Sequence, residues 1–162
     1  MDIDVIFLDI DGVLNPSEGN HSHIFAPECV AEMHRILEHN PQAQVVFSTT
    51  WRIGLSFFKL GGLWHQHGLP INRVISRTPE LHGAPRGKEI QKWLEDTATL
   101  NPVHKVRKFA VLDDEVGPIS DFVPAESVFG CDHWNGLTPE IAGRVIRHLG
   151  GLKSENTLAG WS

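Results

Sequence analysis

Three short apolar runs in this chain each stop on a residue that carries chemistry. Val5 to Leu8 ends at Asp9, Gln44 to Phe47 ends at Ser48, and Phe109 to Leu112 ends at the pair Asp113-Asp114. Apolar runs this short, bounded by turn residues, read as strands buried on both faces. Two weaker runs, Arg73 to Ser76 and Ser127 to Phe129, read the same way. Between them lie stretches of helical period. Pro27 to Glu38 lines up Val30, Met33, Ile36 and Leu37; Leu55 to His67 is helical in spite of Gly61-Gly62; Gly87 to Thr97 turns Ile90, Trp93 and Leu94 inward. Thr138 caps a last helix with Pro139 at its first position and Ile141, Val145, Ile146 and Leu149 as its stripe, stopped by Gly150-Gly151. Strand–helix alternation predicts an α/β fold: a three-layer, doubly wound, Rossmann-like sheet of about five parallel strands with helices on both faces. In such sheets ligands bind outside the carboxyl ends of the strands, where Asp9, Ser48, Asp113 and Asp114 would all lie.

The 162 residues suit one domain, expected over 1–152, followed by a flexible tail at 153–162. A net charge of -6 argues against broad, non-specific nucleic-acid binding but leaves room for a local basic strip. Cys29 and Cys131 fall in no paired motif and read as reduced thiols. The first residues carry acids and no basic leader, and no run approaches the ~18 apolar residues of a membrane span. The expectation is a cytoplasmic protein with no membrane association and no obligate protein partner.

Asp9 and Asp11 are spaced so that both reach one centre if the backbone turns at Gly12. One carboxylate can attack phosphorus and a second can move the proton. The Ser48-Thr49-Thr50 turn offers hydroxyls and free N–H groups to a phosphate oxygen. Lys88, near a helix start, can neutralise a carboxylate or a phosphate. Asp113 and Asp114 repel one another unless a cation offsets them, and oxygen ligands suit magnesium. Each piece alone is also compatible with an acidic or hydroxyl-rich surface turn. His21-x-His23 and His65-x-His67 lack partners at zinc spacing.

Taken in order, Asp9-Ile10-Asp11-Gly12-Val13, Ser48, Lys88 and Asp113-Asp114 resemble the four motifs of the haloacid dehalogenase-like superfamily. The fuller strings Phe7 to Leu14, Ser48-Thr49-Thr50-Trp51-Arg52 and Arg86-Gly87-Lys88 are similar to a compact branch associated with "Swiss army knife" RNA-repair proteins. The resemblance implies a phosphatase with Asp9 as the nucleophile and Asp11 as general acid and base. It implies that Ser48 binds the transferring phosphoryl group and that Lys88 steadies it. Magnesium would be held by Asp9, the Asp11 carbonyl and Asp114, with Asp113 supporting directly or through water.

Neither interval between the motifs has room for a large cap domain, so the site should be nearly open, shielded by the Asn15–Phe25 loop and the Leu55–His67 helix. An open site suits a polymer end as well as a small ester. Arg52, Arg77 and Arg86 are candidates for a second phosphate or a nucleic-acid backbone, and His133 and Trp134 for stacking on a base. The expected function is a magnesium-dependent phosphomonoesterase acting through an aspartyl-phosphate, on nucleotide or nucleic-acid termini. The alternative is a non-catalytic phosphate-binding or interaction module on the same fold. A receiver-type module is disfavoured, because its lysine follows the last strand.

Overall fold

A computed structural model of the chain describes residues 2–17, 25–48, 56–100 and 103–151. Five strands, β1 (Asp2–Leu8), β2 (Ala43–Phe47), β3 (Val74–Arg77), β4 (Lys105–Asp113) and β5 (Val128–Gly130), form one sheet. All pairings are parallel and the order is β3-β2-β1-β4-β5. The helices are α1 (Pro27–His39), α2 (Phe57–Gln66), α3 (Arg86–Leu100), the single turn α4 (Gly117–Ser120) and α5 (Pro139–His148). This is the three-layer, Rossmann-like arrangement that the alternation predicts, without a large cap.

Side chains of β1 alternate between two cores, as the two-residue strand period requires. Ile6 and Leu8 join Met33 of α1, Leu60 and Trp64 of α2, and Val145 and Ile146 of α5. Val5 and Phe7 face the other way, onto Ile90 and Trp93 of α3 and Ile119 of α4. Phe7 meets Trp93 and Phe109 edge-on, with ring centres 5.4 and 5.8 Å away. Helix α5 starts as its sequence dictates, with the Thr138 hydroxyl accepting from Ile141 N and Pro139 in the first turn.

The topology puts its break where the chemistry is. From β1 the chain builds outward through β2 and β3, then returns to the other side of β1 for β4 and β5. The switch point therefore lies between the carboxyl ends of β1 and β4. One further rung extends the ladder past the strand ends. Asp9 N donates to Leu112 O (2.9 Å), Ser48 N to Leu8 O (2.8 Å), Thr78 N to Phe47 O (2.9 Å) and Cys131 N to Asp113 O (2.8 Å).

Two strands are longer than their apolar runs. β1 begins at Asp2 rather than Val5, carrying a buried Asp4 that accepts from Arg107 at 2.7 Å. β4 begins at Lys105 rather than Phe109. Strand β5 pairs only with Val111 to Asp113, and the lower part of β4 carries exposed Lys105, Arg107 and Lys108. Charges on an uncovered strand edge hide the strand from a hydropathy reading. Helix α4 was not apparent in the sequence, being a single turn. The 153–162 tail, His21 and His23, most of the Asn15–Phe25 loop and the first residue of the predicted Leu55–His67 helix lie outside the described residues. His67 has both ring nitrogens engaged, Nε2 accepting from Phe25 N (3.2 Å) and Nδ1 facing Leu63 O (2.9 Å), which ties the loop to α2. Cys29 and Cys131 are both free thiols. Among the described residues, no helix is long and apolar enough to cross a membrane.

Phe7 joins β1, α3 and β4 from a fully buried position. Phe7→Ala is expected to cost about 3–5 kcal/mol in urea unfolding; a loss under about 1 kcal/mol would contradict this packing.

Candidate active site

The acids converge at the switch point. Single ligand oxygens of Asp9, Asp113 and Asp114 all lie within 4.8 Å of one another. Asp9 and Asp113 are buried and Asp114 is half-buried. The turn after β1 makes this approach possible. Ile10 O accepts from Val13, Leu14 and Asn15 N, and Gly12 takes a φ of +78°. A side chain at position 12 would be strained there and would also fall on the Asp114 carboxylate. Glycine thus both bends the chain and leaves space for the acid opposite.

Among the described residues, the cation that sits against these charges is Arg86. Its Nη1 lies 2.7 Å from Asp113 Oδ2 and 3.2 Å from Asp9 Oδ1. Asp113 Oδ1 accepts from Glu115 N at 2.9 Å, so both of its oxygens are engaged, and Asp9 Oδ1 also accepts from Ile10 N at 2.9 Å. Lys88, expected at this place, is not brought to the acids. It is exposed, with its amine 5.7 Å from the centre of the Phe122 ring. Gly87 explains the divergence. It packs so closely on Pro118 O and Phe122 that an added Cβ would meet them at 2.8 and 2.9 Å. The start of α3 is thereby fixed with Arg86 toward the sheet edge and Lys88 outside.

The sequence did hold a signal for Arg86. It stands four and seven residues before Ile90 and Trp93, on the inward stripe of α3, whereas Lys88 shares its face with exposed Gln91 and Lys92. Buried Glu89 was also not singled out; its carboxylate accepts from Leu81 N at 3.0 Å and anchors the preceding loop.

Ser48 is fully buried at the end of β2, and its hydroxyl finds no hydrogen-bond partner among the described residues. A buried hydroxyl left unsatisfied is uncommon and fits a place kept for a ligand oxygen. Asp11 is exposed on the Asp9–Asn15 turn. Arg77 ends β3, exposed, beside a cleft it shares with Glu80, Trp93 and Asp96. Thr49 and Arg52 lie outside the described residues. His133 and Trp134 are exposed on the turn after β5.

The acids have too little positive charge around them. Burial, then the Asp113 charge, pushes the Asp9 carboxyl up to about 8, with Arg86 opposing and Asp114 adding to the rise. Burial likewise pushes Asp113 up to about 6, against the pull of Arg86 and of the Glu115 N–H. Three neighbouring carboxylates, of which Arg86 meets Asp9 and Asp113, fit a site for a hard divalent cation, with oxygen donors already gathered.

The family described as the HAD domain in Swiss Army Knife RNA repair proteins matches residues 5–142. The chain belongs to this family. As a HAD domain it is of hydrolase type, and a phosphorylated substrate goes with that. The match takes in β1, the Arg86 helix and the Asp113-Asp114 pair together. No curated protein and no solved structure matches the chain.

In metal-free solution stability should fall as pH rises from about 4 to about 8. Unfolded carboxyls ionise near 3.8, whereas native Asp9 holds its proton to about 8, so in that window the folded state binds more protons. A few millimolar magnesium should raise Tm more at about pH 8 than at about pH 5, because cation and proton compete for the same oxygens. Thermal unfolding with EDTA and with magnesium checks this; equal shifts at both pH values would remove the cation site.

Proposed function

We propose that this chain is a magnesium-dependent phosphomonoesterase that works through an aspartyl-phosphate on Asp9, on nucleotide or nucleic-acid ends, in the cytoplasm. The observation that carries the reading is the gathering of Asp9, Asp113 and Asp114 at the switch point of the sheet, with Arg86 against the first two. A merely structural cluster would not gather this much like charge in a buried place.

Asp9 attacks phosphorus in line, and the bond to the leaving oxygen breaks. Asp11, exposed at the mouth, gives its proton to that oxygen. It then takes a proton from water, which attacks the phosphorus and frees phosphate and Asp9. Arg86 offsets the charge of Asp9 and holds Asp113 in place. The Ser48 hydroxyl and the turn beyond it, with Thr49 and Arg52, receive the phosphoryl oxygens. Asp9, the Asp11 carbonyl and Asp114 would hold magnesium, which when bound would supply the positive charge that lets an anionic nucleophile meet an anionic phosphate. Asp114 is the better direct ligand of its pair, since both oxygens of Asp113 are engaged by Arg86 and Glu115. Lys88 is left a surface role.

Phosphate release from an aryl phosphate and from 3′- and 5′-phosphorylated oligonucleotides, with magnesium and with EDTA, tests the reading. Asp9→Asn should abolish release, and in EDTA above about pH 8, where Asp9 carries its charge, it should raise Tm by removing one of three crowded carboxylates. Release by Asp9→Asn, or none by the native chain on any ester, would leave a binding module instead. Arg86→Ala should lower kcat/KM by about 10²-fold or more, the scale of losing one electrostatic contact to the reacting group. Lys88→Ala should change it less than about threefold; the reverse order would return the role to Lys88.

A further inference from the structure

The turn after β5 is built onto the turn that carries Asp11. Ser17 N donates to His133 O (2.9 Å) and Leu137 N to Val13 O (2.8 Å). Gly136, at a φ of +70°, lies so close that an added Cβ would stand 2.7 Å from Val13 O and 3.2 Å from Pro16. Within the turn, Asp132 Oδ1 accepts from Trp134 N (2.8 Å) and Asp132 O from Gly136 N (2.7 Å). Residues 132 to 135 of this frame are all exposed, and the large apolar side chain among them is Trp134, 53% exposed, whereas Trp64 and Trp93 are 0% and 8% exposed. A scattered exposed aromatic is ordinary. This one stands on a short turn whose backbone is fixed to the Asp9–Asn15 turn, which puts residue 134 at the same end of the sheet as Asp9 and Asp113.

The opposite side of the mouth has the wrong chemistry for a polyanion. A cleft of about 580 Å³ opens beside Arg86, and its walls include Glu80, Glu89 and Glu115. It lies at the head of α3, on one face of the sheet, while the Asp9–Asn15 turn leads into α1 on the other. Further phosphates would meet those carboxylates on one side, and on the other a turn that carries Asp132 together with the exposed His133 and Trp134 rings.

We propose that Trp134 is a stacking platform for the base next to the reacting phosphate, which makes the substrate a nucleobase-bearing phosphate whose chain leaves over the β5 side of the mouth. The inference rests on the hydrolase reading above for the position of the phosphate. An indole face serves any base, so sequence preference should be weak.

The test uses the full chain carrying Asp9→Asn, which stops turnover, with magnesium and a short fluorescent single-stranded oligonucleotide phosphorylated at the 5′ or the 3′ end. Adding Trp134→Ala should weaken oligonucleotide binding about tenfold, within the range for loss of one base–aromatic stack. Trp134→Phe should recover most of the loss. Affinity for ribose 5-phosphate, measured by competition, should move far less, so the ratio of the two affinities falls. An unchanged ratio, no recovery by phenylalanine, or no oligonucleotide binding at all would overturn the proposal. Binding through Trp134 without turnover by the native chain would remove the hydrolase and keep the platform. Turnover that is indifferent to Trp134 would do the opposite.

Discussion

Repulsion among like charges is the constraint around which this molecule is arranged. Asp9 and Asp113 are buried and Asp114 half-buried at one edge of the sheet, and among the described residues it is the Arg86 guanidinium that stands against the first two. In a fold of marginal stability such crowding is a standing cost, and it persists only where the surrounding backbone overrules it. Two central strands supply that backbone, each flanked by partners on both sides near the acids and sealed by apolar layers above and below. The result is a group of oxygens whose crowding is relieved when a proton is bound. This links the stability of the chain to the occupant of the site.

The layers of the fold were legible because apolar periodicity is a local property. Val5 to Leu8, Gln44 to Phe47 and Phe109 to Leu112 announced their strands, and Thr138-Pro139 announced its helix, through contacts made within a few residues. The order of the motifs likewise placed Asp9, Ser48 and Asp113 at the strand ends, where the backbone rungs now show them. Edges were harder to read. The lower part of β4 is paired on its β1 side alone, so its composition is that of a surface.

The choice between Arg86 and Lys88 was lost for a different reason. A motif read as a string gives residue types at a spacing, and Arg86-Gly87-Lys88 offers two cations within one turn. What separates them is rotation about the helix axis, set by the packing of Gly87 on Pro118 and Phe122. That contact joins segments far apart in the chain. Only the stripe continuing through Ile90 and Trp93 carried the information locally. The clearance that Gly12 leaves for Asp114 is of the same non-local kind.

The four rungs beyond the strand ends have a consequence for how such a protein can change. Asp9 and Ser48 are tied to the adjacent strand through their own N–H groups, and Asp113 through its carbonyl. Their relative heights are therefore set by sheet registry, and a slip of one residue would turn an acid to the other face. Turns and loops around the rim are under no such obligation. Selection can thus redraw what the mouth admits, one loop at a time, on a chassis whose chemistry stays indexed to the hydrogen-bond ladder.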